Sequence, residues 1–280
     1  MKKYIITIII LVTIILLSVG GYFIYANVKT NESSNVDMLK SKCISEIEFL
    51  SSDIIAMMNE LNNISYSNFK VINHKIEIKD KEQKNSIETD KEINSSNIVN
   101  NDILTSDKNN FNWNSLKSKI ENMYSVWPTV MMDLTILNVN KDDLIKYNNI
   151  LDQITKDFEN EDKKLSLMHL ADLHNLLSIY IKEFCSDNQK ISNFIVKTNI
   201  LYLYANIEIE NWNKLKEYIE KAKQEFSNII NNQINNVNDM DVVNKAYILI
   251  NELEKNINNK DKNIFYINYS NLMQELENID

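Results

Sequence analysis

Glycine and proline are almost missing from this chain: the two glycines are Gly20 and Gly21, and the single proline is Pro128. Glycine supplies positive φ and lets backbone approach a ligand closely, as phosphate loops, dinucleotide folds and nucleophile elbows require. Beyond Gly21 none of these can be built. Arginine is absent, so all 30 basic residues are lysines, and the bidentate forks that read phosphate, carboxylate or guanine are lost. The net charge is −9 and the lysines are spread evenly, so no nucleic-acid partner is expected. Cysteine is scarce as well. Cys43 and Cys185 lie far apart and cannot make a disulfide framework. Each reads as a small buried hydrophobe, although a fold that brought them together would let them pair.

A chain so poor in breakers favours helices, and the expected fold class is all-α. Abundant Asn, Ile and Lys fit an AT-rich genome, which accounts for part of the composition without any function.

One long apolar run is present. Tyr4 to Ala26 is interrupted only by Thr7, Thr13, Ser18 and the two glycines, and it follows Lys2 and Lys3. A spanning helix needs roughly 20 apolar residues, whereas the apolar core of a cleavable signal is nearer 7 to 15. Cleavage after Ala26 would put Ile24 where a small residue is usual, with bulky Tyr25 between them. Residues 1–27 therefore read as a retained transmembrane anchor that meets the membrane through residues 4–26. A lipid anchor is not indicated, because no cysteine follows the run closely. The positive-inside rule leaves the N-terminus cytoplasmic and the rest extracytoplasmic, at the cell membrane.

Residues 28–78 form a membrane-proximal segment. From Val36 to Asn62 the apolar positions Leu39, Cys43, Ile47, Leu50, Ile54, Met57 and Leu61 alternate steps of three and four, the pattern of an amphipathic helix. Phe69 to Lys79 alternates in part and is a candidate for one isolated strand. Residues 79–110 hold Lys, Glu, Asp, Asn and Ser with isolated Ile87, Ile93 and Ile103, too little apolar area to offset chain ordering. They read as a flexible linker, which as a relaxed coil spans on the order of 30 Å.

The remainder repeats itself. Asn112 to Glu121 matches Asn211 to Glu220 at seven of ten positions, an offset of 99 residues that persists without a gap to Asp162-Lys163 against Asp261-Lys262. Chance in an Asn- and Lys-rich chain is the competing explanation; fixed-offset similarity is the usual mark of repeated structural units. The expectation is two similar three-helix units, 111–187 and 211–280, joined by a connecting helix over 188–210. The six helices are placed at Trp113–Leu137, Asp142–Phe158, Glu161–Cys185, Trp212–Asn231, Asp239–Ile257 and Lys260–Ile279. With glycine unavailable, Asn138, Asn160, Asn232 and Asn259 are expected to close helices in the left-handed conformation. Asn140 with Asp143, and Asn238 with Asp241, suit helix starts.

Four residues are candidates for a ligand site. Pro128 should kink its helix, which would open an aromatic groove at Trp127 beside Tyr124. A packed core tryptophan explains the same pattern, and Tyr180, Tyr202 and Tyr204 read as core with polar tips. His169 and Asp172 lie three apart on an apolar helix and would pair across one turn, an arrangement found both at active sites and in structural pairs. His174, five residues on, falls on another face. No metal is expected: the histidines lack zinc-protease and di-iron spacing, and Asn138-x-Asn140-x-Asp142 lacks the glycine and terminal Glu of a calcium loop. No catalytic residue and no cofactor are assigned.

The Lys-flanked anchor, Glu60-Leu61-Asn62-Asn63-Ile64, and Trp113-x-x-Leu116-x-x-x-Ile120-Glu121-x-x-Tyr124-x-x-Trp127 followed by Asp133-Leu134 together resemble membrane-anchored helical envelope proteins of AT-rich Gram-positive bacteria. That resemblance implies a location only; it transfers no activity and no site residue, and an envelope protein partner is expected from the helical build of the exported part. The functional expectation is a protein-interaction or envelope-structural module. A ligand-binding or sensory module with a groove near Trp127, and an enzyme using His169 with Asp172, are the alternatives.

Overall fold

A computed structural model describes residues 35–62, 112–233 and 240–279, and these form eight helices with no strand among them. Helix α1 covers 35–60. It is followed by α2 (Trp113–Ile136), α3 (Lys141–Glu159), α4 (Lys163–Phe184), α5 (Asn188–Glu208), α6 (Trp212–Gln233), α7 (Met240–Asn259) and α8 (Lys262–Glu277). The anchor expected over 4–26, the strand candidate Phe69–Lys79, the linker and Asn238 lie outside the described residues. Among the described residues, no helix is long and apolar enough to cross a membrane.

The stripe read from α1 is its buried face: Cys43, Ile47, Leu50, Ile54, Met57 and Leu61 are fully buried, and Leu39 packs at the edge. Each such side chain contributes about 1.5–3 kcal/mol on leaving water, so this helix is held by packing rather than by propensity. Helix α5 is different, because buried residues face every side of it, from Phe194 and Val196 to Leu201, Leu203 and Tyr204. A helix apolar all round belongs inside. Helix α5 packs on α4, α6 and α8, and it meets α1 through Lys190 with Glu48 and through the Tyr204 hydroxyl on the Met58 carbonyl. Two of its buried amides bond locally, since Asn199 and Asn206 donate to carbonyls one turn back.

The turns show how these helices close without glycine. Of the asparagines expected in the left-handed region, Asn138 is there (φ 63), whereas Asn160 stays right-handed at φ −83. Glu161 (φ 56), Glu210 (φ 55) and Lys260 (φ 55) carry the turn elsewhere, so Lys260 and not Asn259 takes the role at its turn. In each case the next amide closes a wide loop onto the helix: Val139 onto Leu134, Asp162 onto Asp157, Asn211 onto Asn206 and Asp261 onto Asn256. This is the Schellman arrangement. The left-handed residue stands one position before the next cap at Glu161 and Lys260, and two before it at Asn138. The side chain of Asn232 is not described.

Helix starts follow the same economy. Asn112, Asn140, Asp162, Asp187 and Asp261 are N-caps whose side chains accept backbone N–H groups of the first turn. Helices α2 and α6, α3 and α7, and α4 and α8 begin 99 positions apart in each pair. Helix α2 runs through Pro128 without ending there.

Candidate functional site

The Trp127 indole points into the core and is 2 % exposed. Its ring stacks on Tyr147 with centroids 3.7 Å apart, Tyr180 lies 6.2 Å away, and its Nε1–H donates to Asn148 Oδ1 at 2.6 Å. Tyr180 in turn donates its hydroxyl proton to the Asp143 carbonyl at 2.7 Å. The aromatic surface expected to line a groove is therefore spent on holding α2, α3 and α4 together, and a ligand reaching it would have to displace Tyr147. Tyr124 stands apart at the surface, donating to Asp152 Oδ1 at 2.6 Å, and burial with that carboxylate raises the phenol pKa.

His169 and Asp172 are not hydrogen-bonded to each other. His169 Nδ1 meets Asp157 Oδ2 at 2.6 Å, joining α4 to α3, while Asp172 Oδ1 accepts the Tyr202 hydroxyl at 2.7 Å, joining α4 to α5. Side chains three apart share a helix face, yet these two turn to different flanking helices. Burial pushes the Asp172 pKa up, opposed by the Tyr202 hydrogen bond and the His169 charge.

The histidine given no role by spacing, His174, has the more unusual setting. It is fully buried, stacks on Phe194, and meets Ser51 Oγ through Nε2 and Thr198 Oγ1 through Nδ1, both at 2.8 Å. The Thr198 hydroxyl already donates to the Phe194 carbonyl, so it must accept from Nδ1–H. Nε2 then carries the lone pair and accepts the Ser51 proton, a tautomer assigned from the network. Burial lowers the His174 pKa to about 3, with Lys197 adding to the effect. Serine donating to a histidine nitrogen is the geometry of an activated nucleophile. A general base works best with a pKa near the operating pH, however, and this imidazole is far too weak. The triad acts as a neutral clasp uniting α1, α4 and α5.

Ser51 also lies on the wall of a cavity of about 260 Å³ bounded by α1, α5 and the end of α8, together with Glu48, Ser52, Lys190, Asn193, Lys197 and Glu277. Glu48 and Lys190 pair at 2.7 Å, and Lys197 meets Glu277 at 3.5 Å. Asn193 donates its amide hydrogens to the carbonyls of Leu276 and Ile279. None of these residues stood out in the sequence. The available signal was a serine interrupting the apolar stripe of α1 and a histidine interrupting that of α4, two polar breaks that answer one another in space.

A second cluster joins Cys43, Glu46 and Asp133, whose ligand atoms lie within 4.8 Å of one another. The Lys42 ammonium already bridges both carboxylates, at 2.5 Å to Asp133 and 3.4 Å to Glu46. Burial and the adjacent carboxylates push the Cys43 thiol up to about 12, so it is a protonated, hydrophobe-like side chain at neutral pH. Cys43 and Cys185 are both free thiols.

Comparison of the chain with protein-family models, curated proteins and solved structures returns no match. The class that fold and site define is an all-helical bundle whose polar side chains tie helices together.

Proposed function

We propose that this chain is a membrane-anchored, extracytoplasmic helical module that works by binding another envelope protein and not by catalysis. Residues 4–26 would hold it in the membrane with the N-terminus cytoplasmic, residues 79–110 would serve as spacer, and two related three-helix units would form the body.

One observation carries the binding reading. On α7, Met240, Tyr247 and Ile248 sit at i, i+7 and i+8, one stripe of the helix, and all three are exposed, Ile248 by 60 %. The adjoining face, with Val243, Ala246, Ile250 and Leu253, is buried in the core. A helix that spends its inner face on folding and keeps a second apolar stripe in water is suited to a partner protein. The repeated helix starts and the paired Asp162 and Asp261 caps support the duplication.

The experiment is affinity capture from envelope extracts with the full chain and with Tyr247→Glu/Ile248→Glu. A partner retained by the parent and lost by the variant, at unchanged helicity, is the expected outcome. Equal capture by both would remove the stripe from the argument. Protease digestion of intact against lysed cells tests topology, and shielding of residues 112–279 in intact cells would refute export.

A further inference from the structure

We infer that the end of the bundle formed by the start of α1, the end of α2 and the start of α3 rests on the lipid bilayer, its exposed apolar side chains set into the membrane interface. Antiparallel packing of α1 on α2 brings these termini together: Lys119, early in α2, pairs with Glu60 at the end of α1, and Asp133, late in α2, pairs with Lys42, early in α1. Met38 stands one turn before Lys42, Met132 and Ile136 flank Asp133, and Ile145 follows the turn into α3. All four are more than half exposed, and among the described residues Ile248 is the only other large apolar side chain exposed to that degree. At 1.5 Å per residue each lies within about 6 Å of its helix end. That layer matches the ~5–10 Å to which apolar faces sink at the boundary of head groups and acyl chains.

The tether selects the occupant, and here the inference rests on the anchor reading above. With residues 4–26 in the membrane, only residues 27–34 separate the bilayer from α1, which begins at residue 35. A segment of that length reaches at most about 29 Å when fully extended and roughly 16 Å as a relaxed coil. Helix α1 itself, over 35–60, is about 39 Å long. Exposed Ile209 and Ile264 belong to the far end, because the end of α5 and the start of α8 meet at Glu208 and Lys262 and pack beside Met58 and Asn59. They stand a helix length further out. The patch near the anchor is thus kept beside lipid at a high effective concentration, an advantage that no diffusing protein has, so a shallow apolar contact is enough. Its surrounding charges, Asp37, Lys40, Lys141, Asp142, Asp143 and Lys146, balance in number. The contact is therefore apolar and does not depend on lipid charge or salt.

The test places the full chain alone in vesicles of phosphatidylcholine, part of it carrying a nitroxide on the acyl chain. Cys185→Ser leaves only Cys43, which is fully buried, and an environment-sensitive fluorophore is then attached at Met132→Cys, at Ile136→Cys or, as the far-end control, at Ile264→Cys. All three positions are exposed, so helicity is expected to match the parent by circular dichroism. The labels at 132 and 136 are expected to emit at shorter wavelength than the control and to lose about half their emission to the nitroxide lipid, as interfacial burial requires, while the label at 264 loses none. Met38→Lys/Ile145→Lys should release the quenching at 136. The proposal is overturned if 132 and 136 are quenched no more than 264, or if the double lysine variant stays quenched. No other protein is present, so quenching at 136 reports lipid and not a partner, and equal emission at all three sites leaves the patch to a protein. Flotation of the same vesicles separates the two readings. A chain that fails to float removes the anchor and this contact with it, whereas a chain that floats with 136 unquenched removes this contact alone.

Discussion

Asp162 and Asp261 stand 99 positions apart and perform the same two tasks with the same geometry. Each side chain accepts the N–H of the residue three further on at 3.0 Å, and each backbone N–H closes the preceding helix at 2.9 Å, onto Asp157 and Asn256 respectively. The residue before each, Glu161 and Lys260, is left-handed at φ 56 and φ 55. One aspartate thus ends a helix with its backbone and starts the next with its side chain.

Losing either cap should cost a similar amount. Asp162→Ala and Asp261→Ala are each expected to lower stability by about 1 kcal/mol, read as a shift of the urea midpoint at unchanged slope. Glu161→Gly and Lys260→Gly should move it the other way. Relief of the left-handed penalty, about 1–2 kcal/mol, exceeds the entropy cost of glycine, roughly 0.5–1 kcal/mol. A strong loss at one site beside no change at its counterpart would count against equivalent turns.

The buried imidazole predicts an acid-side loss of stability. In the unfolded chain His174 protonates near its ordinary 6.5, whereas in the fold it stays neutral down to about 3. Below pH 6.5 the unfolded state therefore binds the extra proton, and this site's share of the stability falls as pH drops toward 3, by at most about 1.4 kcal/mol per pH unit. Urea titrations at pH 7 and pH 5 measure it. His174→Gln, which cannot titrate, should show a shallower dependence between those two pH values.

The Trp127 stack predicts a graded series. Trp127→Phe keeps a ring against Tyr147 but leaves Asn148 Oδ1 without its donor, an expected loss of about 1–2 kcal/mol. Trp127→Ala opens a cavity and should cost about 3–5 kcal/mol. Phe226, buried at the position 99 further on, should behave like the larger of these when cut to Ala. Wild-type-like stability for Trp127→Ala would show that the indole is not the packing element its geometry describes.

Local pattern carried the helices a long way. The stripe from Leu39 to Leu61 named the buried face of α1, because the 3.6-residue period alone decides which side chains share a face. Asn140 was legible as a cap because a side-chain oxygen there answers backbone donors that every helix start leaves unpaired.

The candidate site was another matter. Trp127, Tyr124, His169 and Asp172 were chosen for their chemistry and their spacing on one helix. Their partners, Tyr147, Asp152, Asp157 and Tyr202, come from neighbouring helices. Ser51 and His174, 123 residues apart, form a contact that no window of sequence contains.

By itself, then, the sequence determined that the described chain is helical, which faces of its helices turn inward and where several of them begin, since these depend on nearest neighbours along the backbone. Tertiary structure decided which polar groups meet. It made His174 a neutral clasp, turned Trp127 inward, and set Asn193 on the carbonyls that end α8. Burial and pairing are properties of the packed arrangement of several helices, and a residue's neighbours in space are not written in its neighbours along the chain.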